Sequence, residues 1–141
     1  MVHLKSAVAS GVLALVLLAG CAGMSSAPAK FSDGILTNSA GMTLYTFDKD
    51  TAGSGKSVCN GPCAKNWPPL AANGDDKPGG DWSVISRDDG SKQWAYKGKP
   101  VYRWSKDQKP GDKTGDGFIN AWHVVRQEPA PSGYGRSMSG Y

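Results

Sequence analysis

Glutamate is almost missing from this 141-residue chain, which has Glu128 alone; histidine and cysteine are nearly as scarce, at two and three. These side chains most often carry acid–base, nucleophilic and metal chemistry. His123 is the one imidazole outside the N-terminal stretch, and no serine stands in a nucleophile elbow, so no catalytic triad assembles. A catalytic carboxylate pair would have to come from loop aspartates. No catalytic residue is therefore assigned. Runs of lysine or arginine are also missing, and the net charge of +4 is spread thinly. Phosphate tracking needs a basic stripe, so nucleic acid is not an expected partner. "AGSGKS" (52–57) falls short of a phosphate-binding loop, because Asp50 stands where the first glycine is needed. Helical periodicity is nearly absent as well.

The one long apolar run is N-terminal. Lys5 precedes "AVASGVLALVLLAG", which is followed by Cys21. A charged start and a short apolar stretch read as a secretory leader, too short to span a bilayer comfortably. Leu18-Ala19-Gly20-Cys21 matches the bacterial lipobox, in which the cysteine thiol receives a diacylglycerol and the leader is cut before it. Cleavage there leaves 121 residues, and loss of Lys5 leaves 15 basic against 12 acidic side chains, a net charge of +3. Each buried methylene of an acyl chain contributes roughly 0.8 kcal/mol, so the expected membrane partner is reached through lipid rather than charge. The expected organisation is a signal peptide at 1–20, a lipid-anchored flexible tether at 21–33, a β-rich domain at 34–127 and a disordered tail at 128–141. Ala22, not aspartate, follows the cysteine. The usual sorting of bacterial lipoproteins then gives the outer membrane where the host has two membranes, and otherwise the outer face of the plasma membrane.

Between the flanks, short alternating runs are bounded by turn residues. "GILTN" and "MTLYTF" read as a hairpin, "WSVIS", "SKQWAYK" and "PVYRW" as a meander turning at Asp89-Gly90 and Lys97-Gly98, and "NAWHVV" as a last strand. "GPCAKNW" has room for one helical turn. The fold class is all-β, with at most short helical turns. "LYTFDKD" (44–50) returns as "VYRWSKD" (101–107) without a gap. Gly41 aligns with Gly98, and the step from Cys63 to Trp67 is repeated from Phe118 to Trp122. Two copies at this spacing predict two related hairpin units around one aromatic core, with Trp67 and Trp122 each closing its own unit.

The pattern Tyr-x-(Phe/Trp/Tyr)-x-x-Asp, present at Tyr45/Phe47/Asp50 and at Tyr102/Trp104/Asp107, joins "CNGPCAKNWPPL" and "GDGFINAWHVV". Together they resemble the bacterial family of predicted lipoproteins named for this motif, the secreted repeat of unknown function. The resemblance covers about residues 34–126. It implies a small secreted β-repeat domain and no particular reaction.

Alternate residues of a strand share a face, so Tyr45 pairs with Phe47 and Tyr102 with Trp104. Such a row either stacks sugar rings or forms the aromatic core that a small domain requires; the core reading is favoured. Asp50 and Asp107 are expected to accept backbone N–H bonds in the loops they open, with ligand binding as the alternative. Cys59 and Cys63, an even pair in an exported chain, predict a disulfide, contributing on the order of 2–3 kcal/mol. Zinc would need further ligands, and the spacing fits neither haem attachment nor a thioredoxin-like pair. "DKTGDG" (112–117) shares positions with a calcium loop but lacks its closing glutamate, leaving Asp107, Asp112 and Asp116 as weak calcium candidates; no other cofactor is expected. The reading is a lipid-anchored envelope protein acting as a non-catalytic binding or structural module, with a protein or polysaccharide partner that the residues do not name. A metal- or redox-associated accessory is the alternative, and a carbohydrate-active enzyme the third.

Overall fold

A computed structural model of the chain describes residues 27–130. The leader at 1–20, Cys21, the start of the tether and the tail from 131 onward lie outside the described residues. The described residues form seven short strands, one α-helical turn and one 3-10 turn: β1 (Ala29–Ser32), β2 (Ile35–Asn38), β3 (Tyr45–Phe47), α1 (Pro62–Asn66), β4 (Trp82–Ser86), β5 (Lys92–Tyr96), β6 (Lys99–Pro100), the 3-10 turn (Phe118–Asn120) and β7 (Trp122–Val124). The fold is all-β. Antiparallel pairing joins β1 to β2, β4 to β5 to β6, and β3 to β7. Lys97 and Gly98, both at positive φ, make the expected two-residue turn between β5 and β6. Gly98 also approaches another loop closely: a Cβ there would lie 2.8 Å from the Gly53 nitrogen.

One boundary needs correction. Ala29–Ser32, assigned above to the flexible tether, is a strand. Asp33 (φ 50) and Gly34 (φ 76) form a tight turn that folds it back on β2, with Ser32 opposite Ile35. Burial holds it there, because Ala29 enters the core and the Phe31 ring meets Tyr96 edge-on at 5.9 Å. At the other end Glu128, placed in the disordered tail, is ion-paired with Lys97 at 2.8 Å.

The two copies of the repeat meet strand to strand. Tyr45 N–H donates to the Tyr102 carbonyl (2.8 Å), and Tyr102 N–H donates back to the Tyr45 carbonyl (2.9 Å). This reciprocal pair lies on an approximate two-fold axis, and the bonds around it come in matched pairs. Leu44 N–H to Leu36 O corresponds to Val101 N–H to Trp94 O, and Asp48 N–H to Ala121 O corresponds to Ser105 N–H to Asn66 O.

The closing segments are exchanged between the halves. β7, from the second copy, pairs with β3 of the first, while Pro68 and Pro69 of the first copy lie along Tyr102 and Arg103 of the second. The expectation that each tryptophan closes its own unit is therefore corrected: Trp122 stacks on Phe47 and Trp67 on Trp104. The reason is geometric. The Tyr45–Tyr102 pairing takes one edge of each aromatic strand, and the segment able to reach the other edge belongs to the opposite half.

The result is a four-ring column at the centre of the molecule. Phe47 stacks on Trp122 at 4.3 Å, Trp122 on Trp67 at 3.8 Å with planes 1° apart, and Trp67 on Trp104 at 4.0 Å. Tyr45 and Tyr102 abut its two inner rings edge-on. All six rings are buried. Gly115 passes so close that a Cβ would stand 2.6 Å from Trp67 and 3.0 Å from Trp104, so no side chain fits there. Truncating Phe47 or Trp104 to alanine removes one end of the column and is expected to cost roughly 3–5 kcal/mol, read by denaturant melts against the parent. Unchanged melts would mean that the column is not the core.

Candidate functional site

The motif residues converge on two buried hydrogen-bonded locks that cross between the halves. The Tyr45 hydroxyl donates to Asp107 Oδ2 (2.6 Å), and the Tyr102 hydroxyl donates to Asp50 Oδ2 (2.5 Å). Each aspartate also serves the loop it opens. Asp50 Oδ1 accepts from Val58 N–H (2.8 Å), and Asp107 Oδ1 accepts from the N–H (3.0 Å) and the hydroxyl (2.6 Å) of Thr114. Asp50 is 1% exposed and Asp107 8%. Burial, reinforced by the adjoining carboxylate, pushes both phenols well above the ordinary tyrosine range.

One lock extends into a longer chain. Arg87, 6% exposed, donates through Nη1 to Ser57 Oγ (3.0 Å) and Gln93 Oε1 (2.6 Å), and through Nη2 to the Cys59 carbonyl (2.5 Å) and Asn60 Oδ1 (3.2 Å). Ser57 Oγ accepts from Arg87 and from Cys59 N–H, so its single proton goes to the Tyr102 oxygen at 2.6 Å. Tyr102 in turn gives its proton to Asp50. A buried cation and a buried carboxylate are thus linked through two oriented hydroxyls, which satisfies both without direct contact.

The Tyr45–Asp107 lock lacks such a network. Ile35 occupies the place of Gln93, since Ile35 bridges to Arg126 as Gln93 bridges to Ala71. Lys113 occupies the place of Ser57, each standing just before the residue whose N–H meets the aspartate. An open cleft of about 370 Å³ lies there, lined by Ser32, Asp33, Ile35, Thr43, Pro110 and Lys113. Thr43 is already engaged, its hydroxyl donating to the Asp112 carbonyl at 2.7 Å. Sequence reading missed both Arg87 and the cleft, because neither belongs to the repeated motif.

Cys59 and Cys63 are bonded to each other, spanning the entry to α1. Cys59 is wholly buried against the column. The calcium candidates do not come together. Asp107 is held by Tyr45 and Thr114, Asp112 by the N–H groups of Gln108 and Lys109, and Asp116 by Val124 N–H and Arg126. Asp107 and Asp112 thus cap their own loops, and Asp116 is engaged at β7 and Arg126. Among the described residues no three His, Cys, Asp or Glu side chains group to hold a metal. His123 Nε2 lies 2.9 Å from Asp48 Oδ2 at the surface, where both side chains are about half exposed.

These features define an all-β domain made of two intertwined copies of one unit, each locked by the tyrosine of the other. Residues 29–71 and 83–126 match the family described as a secreted repeat of unknown function, one match to each half, and the chain belongs to that family. No curated protein and no solved structure matches the chain. The family is a secreted one, so the protein's place is outside the cytoplasm, in the envelope or beyond it. No helix among the described residues is long and apolar enough to cross a membrane.

Two measurements test the site. A phenol whose pKa is higher in the folded chain than in the unfolded one stabilises the fold fully below about pH 10, and that stability is lost as pH rises further. Unfolding free energy is expected to fall above about pH 10 by about 1.4 kcal/mol per pH unit for each tyrosine, and less steeply in Tyr45→Phe. The same profile in the variant and the parent would show that Tyr45 ionises freely. Thiol labelling under denaturing, non-reducing conditions is expected to modify neither Cys59 nor Cys63.

Proposed function

We propose that the protein is a lipid-anchored, non-catalytic module of the cell envelope, attached through Cys21 and serving a binding or structural role. The observation that carries this reading is that the motif shared by both copies is consumed internally. Both tyrosine hydroxyls and both aspartates are spent on each other and on their own loops. A hydrolytic carboxylate pair must face a substrate, and these face phenols. The redox alternative draws less support, because Cys59 is wholly buried and only the partly buried Cys63 offers its sulfur to thiol exchange. The metal alternative draws less support, since Asp107, Asp112 and Asp116 already accept the hydrogen bonds described above.

The lipobox supports the anchor, and the cleft beside Lys113 is the concave surface on which a binding role would draw. Intact mass of the membrane-extracted protein is expected to show loss of residues 1–20 and gain of acyl mass, with Cys21→Ser released into the soluble fraction. A Cys21→Ser protein that stayed on the membrane would defeat the anchor.

A further inference from the structure

A second apolar cluster, distinct from the one that holds the four-ring column, presents a face that its own fold leaves partly uncovered. Phe31, Leu70, Trp82, Tyr96 and Val125 pack around buried Ala29, Leu36 and Leu44, yet each stays partly exposed. Phe31 meets Tyr96 at 5.9 Å, and Tyr96 meets Trp82 at 5.0 Å. Leu70 and Val125 hold matching places in the two halves, bonded to Val101 and Leu44. The face therefore sits on the approximate two-fold axis and draws on both copies.

We propose that this face docks on the interfacial zone of the lipid bilayer to which the chain is anchored. The inference rests on the acylation of Cys21 and adds an orientation to it. β1 starts at Ala29 and carries Phe31, so the chain enters the domain at this face. Seven residues lie between Cys21 and Ala29, and their eight Cα–Cα steps, even fully extended, reach only roughly 26–29 Å. A tether that short holds the face at an effective concentration in the millimolar range, so weak interfacial affinity suffices.

The composition fits. Tryptophan and tyrosine concentrate at membrane–water boundaries, with an apolar body inward and a polar tip at the headgroups. The Lys97 ammonium lies 5.7 Å from the Tyr96 ring centroid and pairs with Glu128, while the Asp81 carboxylate stands beside the Tyr96 hydroxyl. These charges of both signs make the docking one of apolar burial, not attraction to anionic lipid.

Trp82 gives a direct readout, because Trp67, Trp94, Trp104 and Trp122 are all at most 5% exposed. The acylated full-length protein is reconstituted in phosphatidylcholine vesicles with brominated or plain acyl chains. Bromine is expected to quench part of the tryptophan emission, and Trp82→Phe to lose that quenching. Hydrogen exchange around Phe31 and Tyr96, slower with vesicles than in detergent-free buffer for the unanchored Cys21→Ser chain, checks the same contact without altering the face. Equal emission from both kinds of vesicle, with acylation verified by mass, overturns the docking and leaves the anchor standing. It would free the face for a protein or polysaccharide. A chain without acyl mass overturns the anchor and this proposal together.

Discussion

Two carboxylates lie in the interior of a domain of about a hundred residues, and everything else is arranged so that they can stay there. An ionised carboxylate removed from water is tolerated only when its lone pairs meet donors, and each aspartate here takes its buried donor from the opposite half. Neither copy supplies the phenol that completes its own aspartate, so the locks enforce a pair. They also fix the spacing of Tyr45 and Tyr102, whose backbones bond across the axis and whose rings brace the tryptophan column. The motif Tyr-x-(Phe/Trp/Tyr)-x-x-Asp is thereby explained residue by residue. The tyrosine reaches the partner's aspartate, the second aromatic ends the stack, and the aspartate receives the partner's tyrosine while ordering its own loop.

Around this shared frame the copies diverge. Around the Tyr102–Asp50 lock, Arg87 and Gln93 of the second copy and Ser57 of the first form a buried charge network, and beside the Tyr45–Asp107 lock a cleft lies at the corresponding place. One half crosslinks its entry to the helical turn through Cys59 and Cys63, where the other uses the glycine-rich segment leading to Phe118. The frame is common to both copies, and what surrounds it differs from one lock to the other.

What could be read in the sequence was local. The Lys97-Gly98 turn, the alternation of β3, the helical turn after Pro62 and the adjacency of the two cysteines each depend on neighbours in the chain. The strand at Ala29–Ser32 was also readable, since Asp33-Gly34 is a preferred two-residue turn, but its small residues resembled the tether before it. The exchange of closing segments was not readable. Trp67 satisfies the same sequence pattern whichever half it covers, and only packing chooses. The aspartates near 112 imitated a calcium loop because capping a polar turn and ligating an ion call for the same carboxylate at the same spacing.

The exchange of closing segments has a consequence for the order of events in the life of the chain. The bond between Tyr45 and Asp107 joins residues 62 apart in sequence, and that between His123 and Asp48 spans 75. Contacts this distant form slowly, because the intervening chain must be gathered before they contribute anything. A nascent polypeptide that has emerged only as far as Leu70 holds β3 with no partner on either edge and half a column of rings. It has nothing stable to fold into until Val124 has appeared. For a member of a secreted family that delay is an asset: the arrangement that makes the finished domain indivisible also keeps the unfinished one unfolded, and so competent to be threaded across a membrane before it closes.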